Sequence, residues 1–204
     1  MAQSRMAGVL AAFSLAGAAS AGVTDINITG AFANSNWNLS SGWDEGQEWG
    51  WNLSPNLNDA SAWSNEVWAA GGPASLNIQV VTDGIDPDVT ITKNLVNTTG
   101  FAWTSFQIDL FQISGFGPVS VYPSSVASSR FGSTSTLNSA GNAAMTFGLA
   151  GLQTPVLPGE NVSFFFTFNI PGDVVIKMTQ TPIPAPGTVS CVALAGFMGL
   201  RRRR

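Results

Sequence analysis

From Val162 to Phe168 every second residue is apolar: Val162, Phe164, Phe166 and Phe168, the most apolar face in the chain. A two-residue period matches the alternation of side chains across a β-strand and fits no helix. The same period recurs at Ile26 and Ile28, extending towards Phe32, and at Leu76, Ile78 and Val80 opposite Asn77 and Gln79. It returns at Val89 and Ile91, at Phe106, Ile108 and Leu110 opposite Gln107 and Asp109, and at Met145, Phe147 and Leu149. Val174, Ile176 and Met178 close the series, and Val119 to Tyr122 reads as a short strand. Gly71-Gly72-Pro73, Asp83 to Asp88 and Pro158-Gly159-Glu160-Asn161 punctuate these runs as turns. Asn94 to Gly100 breaks the alternation, and residues 124–142, rich in Ser, Thr, Gly and Asn, read as loop. No amphipathic helix intervenes. Eight or nine strands with one apolar face each predict an all-β domain, a single antiparallel β-sandwich, with a β-barrel as the alternative.

The two ends follow other rules. Arg5, the apolar run from Met6 to Ala18 and Ala19-Ser20-Ala21 form a secretory signal peptide over residues 1–21, with cleavage after Ala21 and the A-x-A residues Ala19 and Ala21 at the cut. The C-terminus reads Pro182-Ile183-Pro184-Ala185-Pro186-Gly187, then an uncharged run from Thr188 to Leu200, then Arg201, Arg202, Arg203 and Arg204. Thirteen residues span about 20 Å as a helix. Beginning near Pro184 brings the length to about 26 Å, and snorkelling arginine stems cover the remainder of a bilayer core about 30 Å thick. The arginines stay on the cytoplasmic side. A transmembrane helix over about 184–200 and an exported ectodomain over 22–181 are therefore expected.

The Pro-x-Pro signature, apolar helix and terminal arginine cluster of residues 182–204 resemble the PEP-CTERM sorting signal of bacterial exported proteins, in the Pro-Ala-Pro form found in planctomycete-type bacteria. Pro184, Ala185, Pro186 and Arg201 to Arg204 carry the likeness, and Ala185 stands where the named motif has Glu. The resemblance implies recognition by an exosortase-type membrane enzyme that cuts near the signature, after signal peptidase has acted at the other end. A looser likeness joins Asp86-Pro87, Asn97-Thr98-Thr99-Gly100, Trp103 to Phe106 and Pro158-Gly159-Glu160 to ectodomains that precede such tails. It implies a fold and no activity.

Without its ends the chain keeps three cations, Lys93, Arg130 and Lys177, against 12 acidic residues, a net charge of −9. Such a surface repels nucleic acid and anionic lipid. The chain has no histidine, and its single cysteine, Cys191, lies in the tail. Ser-His-Asp and Cys-His nucleophiles and the common zinc ligand sets are thereby excluded. No enzyme is expected. A carboxylate pair drawn from Asp44, Glu45, Glu48, Asp59 and Glu66 is the formal route to a secreted glycoside-active enzyme.

Two binding candidates remain. Asp83, Asp86 and Asp88 alternate around a turn and offer oxygen ligands to calcium, at a spacing that departs from the EF-hand loop. No other cofactor is expected. Residues 34–72 hold six of the seven tryptophans, and Trp37, Trp43, Trp49 and Trp51 are the candidates for stacking on sugar rings. The competing reading places the indoles in the core. The five N-x-S/T matches, at Asn27, Asn38, Asn52, Asn97 and Asn161, are not assigned as glycosylated.

The function expected is an exported cell-surface or extracellular-matrix protein with a structural or interaction role, held at the cytoplasmic membrane by its C-terminal helix before sorting. A carbohydrate-binding or adhesion module for extracellular polysaccharide is the alternative, and a glycoside-active enzyme the weaker one. Mass spectrometry of the mature protein from membrane and medium checks the ends. A released species running from Gly22 to between Pro184 and Gly187 is expected; a membrane species retaining Arg204 refutes tail processing.

Overall fold

The computed structural model describes residues 22–29, 48–53, 59–69, 72–83, 86–115 and 117–185. The expected signal peptide with Ala19 and Ala21, Trp37 and Trp43, and the tail from Pro186 through Arg201, Arg202, Arg203 and Arg204 lie outside them. The described residues form twelve strands and a 3₁₀ turn at Pro123–Ser125. The strands are β1 (Val23–Thr29), β2 (Glu48–Leu53), β3 (Ala60–Trp68), β4 (Ala74–Thr82), β5 (Asp88–Asn97) and β6 (Trp103–Gly115). They continue with β7 (Ser120–Val121), β8 (Ala127–Ser128), β9 (Ser133–Ser139), β10 (Asn142–Gly148), β11 (Asn161–Asn169) and β12 (Val174–Pro184).

The fold is all-β, in two sheets. The first runs in the order β1-β4-β12-β6-β10-β9; the second runs β2-β3-β5-β11, with β7 and β8 both on the far edge of β11. Their apolar faces meet in one core. Ile78, Ile108, Phe147 and Ile176 come from the first sheet; Val89, Leu95, Phe164, Phe166 and Phe168 come from the second. Aromatic rings bridge the layers. The Phe164 ring centroid lies 4.6 Å from that of Phe106 and 4.7 Å from that of Phe147, and Phe131 closes over it at 5.9 Å. This arrangement is sandwich-like, as the alternating sequence implies.

Five features differ from the sequence reading. Among the described residues the strands number twelve, because the tryptophan region contributes β2 and β3 and residues 124–142 contribute β8 and β9. Residues 124–142 are not a loop: they supply β8 and β9. Strand β9 is an outermost strand with nearly every side chain exposed, so it has no apolar phase to betray it. Its Ser and Thr residues suit an edge, and the two-residue turn Ala140-Gly141, with Gly141 at φ +75°, folds it onto β10. Asn94 to Asn97 does not break β5. The inward phase runs on through Lys93, Leu95 and Asn97, with polar side chains in apolar places. The sheets are not wholly antiparallel: β3 and β5 pair in parallel, since the chain crosses to the first sheet as β4 before returning.

The fifth difference concerns the boundary at 181. Strand β12 continues through Pro184, which pairs with Trp103, and the Ala185 N–H donates to the Ala102 carbonyl at 3.0 Å. A helix beginning at Pro184 is therefore ruled out, and the tail starts no earlier than Pro186. Pairing of β12 with β4 ends at Gln180. Pro182 and Pro184 thus fall where the strand has one open side, the place in a sheet that tolerates proline. No helix among the described residues is long and apolar enough to cross a membrane.

One end of the sandwich is tied by Asn97, whose side chain is fully buried. Its amide donates to the carbonyls of Phe101 (3.0 Å) and Val156 (2.9 Å), while its oxygen accepts from the Thr99 N–H (2.9 Å) and hydroxyl (2.6 Å). Thr99 in turn accepts from the Trp103 indole at 3.1 Å, and the Asn97 N–H donates to the Glu160 carbonyl. The segments of the looser sequence likeness, Asn97 to Gly100, Trp103 and Pro158 to Glu160, thus meet in one structural knot. Burial also removes Asn97 from the glycosylation matches. Glu160 completes the clasp: the Leu157 N–H, then Arg130 at 2.8 Å, hold its carboxyl below the usual carboxylate range. Its contribution is present above the unfolded value and fades as pH falls through the lowered one.

Asn97→Ala removes four hydrogen bonds, each contributing about 0.5–1.5 kcal/mol, so the expected loss is about 3 kcal/mol of unfolding free energy. Urea denaturation of both proteins checks it; a loss under about 1 kcal/mol refutes the hub.

Candidate functional site

The outward face of the second sheet carries three lateral rows of side chains, set by the register of β3, β5 and β11. In the middle row Trp63, Thr92 and Phe165 lie side by side. Trp63 is half-buried and Phe165 is 38% exposed. Two strand spacings separate the two ring-bearing positions, about 10 Å. Trp63 lies opposite Gly50 on β2, and a β-carbon at Gly50 would come within 2.9 Å of the indole, so the ring occupies the space over the glycine.

The rows on either side are polar and bonded across the strands. On one side Ser163 donates to Asn94 at 2.7 Å and Asn94 donates to Asn65 at 3.0 Å. On the other, the hydroxyls of Thr90 and Thr167 lie 2.9 Å apart. A shallow groove follows the first of these rows, along Asn65, Asn94, Asn161 and Ser163. Aromatic rings between rows of amides and hydroxyls match the chemistry of a sugar. The C–H faces of a pyranose lie on rings, and its hydroxyls exchange hydrogen bonds with amides.

These are not the tryptophans singled out from sequence. Trp49 and Trp51 lie on the opposite face of β2 from Gly50 and pack, half-buried, against the core. Trp68 is buried against Trp103 and Phe106 at 6.1 and 5.6 Å. Core filling therefore accounts for Trp49, Trp51 and Trp68, and Trp63 alone among the described tryptophans of this region faces outward over Gly50. Phe165 was missed, yet its signal is visible: it is an apolar residue in the polar phase of β11, between Phe164 and Phe166.

The three aspartates of the calcium turn have separate duties. Asp83 accepts from the Gly22 N–H at 2.7 Å. Asp86 takes a positive φ of 54°, and its carbonyl accepts from Asn169. Asp88 accepts from the Tyr122 hydroxyl at 3.0 Å and from Asn169 at 3.1 Å. Among the described residues no three acidic, histidine or cysteine side chains group closely enough to hold a metal ion. Of the carboxylates near the tryptophans, Asp59 accepts from the Asp88 N–H, and Glu66 is buried. Of the residues expected to form a sorting signature, Pro184 is the last of β12 and Ala185 follows it.

Glu66 belongs to a polar cluster in the centre of the core with Lys93, Ser64, Trp68 and Gln180. Sequence reading listed Glu66 among the carboxylates that could form a catalytic pair and counted Lys93 only as one of three cations. The missed signal is phase: Glu66 follows Ala60, Ala62 and Ser64, and Lys93 follows Val89 and Ile91, each two residues apart.

Compared with known proteins, the chain matches no family model, no curated protein and no solved structure.

If Trp63 and Phe165 belong to a surface and not to the core, Trp63→Ala and Phe165→Ala each lower stability by about 1 kcal/mol. Phe164→Ala, one residue away and facing inward, lowers it by about 3–5 kcal/mol. Chemical denaturation of the three variants separates the faces; equal losses at Phe164 and Phe165 contradict the assignment.

Proposed function

We propose that the chain is an exported protein, sorted through its C-terminal tail by exosortase-type machinery, whose sandwich acts as an interaction module at the cell surface or in the extracellular matrix. The module binds a neutral polysaccharide on the outward face of its second sheet. The observation that carries this reading is the Trp63–Phe165 row flanked by the Asn65–Asn94–Ser163 and Thr90–Thr167 rows. Export and sorting rest on the two ends of the sequence. The net charge of −9 between them argues for a neutral glycan, since an acidic one meets like charge. The C-terminal helix serves as the temporary membrane anchor that presents the tail for cutting.

The test is retention of the purified mature protein on insoluble polysaccharides of defined composition, including matrix from the native cells. Wild-type protein is expected to bind a neutral glycan, and Trp63→Ala and Phe165→Ala each to weaken binding about tenfold, a loss of about 1.4 kcal/mol. Binding that both substitutions leave unchanged, or no binding to any neutral glycan, overturns the polysaccharide reading. Export and sorting then stand or fall on the termini of the mature protein.

A further inference from the structure

Lys93 and Glu66 point from neighbouring parallel strands of the second sheet into the centre of the core, each with a side chain only 1% exposed. Lys93 Nζ contacts Glu66 Oε1 directly and donates to Ser64 Oγ at 3.0 Å. Ser64 donates to the same Oε1 at 2.7 Å. The other carboxylate oxygen, Oε2, accepts from the Trp68 indole at 3.1 Å and from the Gln180 amide, reaching across from β12, at 3.4 Å. Gln180 Oε1 is buried and has no hydrogen-bond partner among the described residues, so this is an incompletely satisfied polar pocket.

An ammonium and a carboxylate sealed in such a place are held against a large desolvation cost, and a buried pair is often no better than apolar side chains of the same volume. Burial lowers the pKa of Lys93 despite the opposing pull of Glu66. Proton transfer within the pair relieves both desolvation penalties at once. It leaves a neutral amine in contact with a carboxylic acid, the two reactants of an amide, fixed in one geometry and shielded from bulk water.

We propose that Lys93 and Glu66 condense into an intramolecular amide that joins β5 covalently to β3. The lone pair of Lys93 Nζ forms a bond to Glu66 Cδ while the carbonyl electrons move onto Oε2. The negative charge that gathers there faces the two donors already aimed at it, Trp68 Nε1 and Gln180 Nε2. Ser64, which accepts from Nζ and donates to Oε1, carries a proton from the attacking nitrogen to the departing oxygen. The Cδ–Oε1 bond breaks, Oε1 leaves as water, and the carbonyl re-forms at Oε2. Amine and acid give amide and one water, with no change of oxidation state and no added reagent.

Each polar neighbour of the pair thus has a role in the step. The product exchanges two buried charges for a neutral link. That link suits an exported domain whose sequence from Gly22 to Ala185 contains no cysteine and so no disulfide.

The full chain is purified, denatured and digested with trypsin, and the peptides are weighed and fragmented. Lys93 is expected to resist cleavage. The peptide ending at Arg130 is expected to be lighter than its sequence by one water and to yield no backbone fragments between Glu66 and Lys93. Lys93→Arg and Glu66→Ala are each expected to abolish the loss, and the wild-type mass decides the proposal whether or not either variant folds. Cleavage at Lys93 with full peptide mass overturns the proposal. So does loss of water with Lys93 still cleavable, which places the dehydration elsewhere, as at Asp83-Gly84. A cross-link between the peptide ending at Arg130 and the separate peptide beginning at Met178, with loss of one ammonia, identifies Gln180 as the acyl partner and refutes the assignment to Glu66.

Discussion

The two sheets are held in register by aromatic rings packed across the gap between them, above all at Phe164. This residue lies on β11, near the edge of the second sheet, yet its ring meets Phe106 and Phe147 from two adjacent strands of the first sheet and Phe131 from the loop before β9. Sheets pack about 10 Å apart, a distance that rings fill and short aliphatic chains leave partly open. Trp103 and Phe106 extend the layer to Trp68, so a continuous aromatic seam runs from β3 to β10. Residues on either side can be small, as Ala60, Ala62, Ala74 and Ala143 are, because the seam sets the spacing.

Strands whose inner face is wholly apolar were legible from the sequence: β4, β11 and the early part of β6 announce themselves by period alone. The strands that escaped did so for separate physical reasons. Strand β9 has no buried face, so nothing selects an alternation. Strands β2 and β3 have bulky indoles on both faces, Trp49 and Trp51 inward and Trp63 outward, which erases the contrast on which period reading depends. The parallel pairing of β3 with β5 is a matter of which sheet β4 joins, and no local pattern encodes that choice. Strand β5 was cut short because Lys93 and Asn97 are polar in apolar positions, and only the partners brought to them by the fold make those positions acceptable.

Those two residues show how a β-sandwich admits polarity to its interior. Asn97 is satisfied four ways by backbone and hydroxyl groups of its own loop and of the Val156 segment, so its burial costs little and fastens the two segments together. Lys93 is different. Its partners are side chains of β3, and the carboxylate it meets is shared with an indole and an amide. A neutral hub of this kind defines a structure; a charged one defines a chemical problem, because its charges are held where bulk water does not reach them.

The outward face of the second sheet obeys the same logic in reverse. Its amides and hydroxyls are bonded sideways to one another, Ser163 to Asn94 to Asn65, instead of being left to flexible hydration. Side chains held in this way have already lost the rotamer freedom that binding would otherwise remove. The rings of Trp63 and Phe165 are fixed by the strands beneath them and, for Trp63, by the space over Gly50. A face with its polar rows bonded and its aromatic row set by the strands is the feature on which the proposed polysaccharide binding rests. The seam of rings beneath it supplies the stiffness, since a sheet that cannot shift against its partner cannot blur the rows on its outer side.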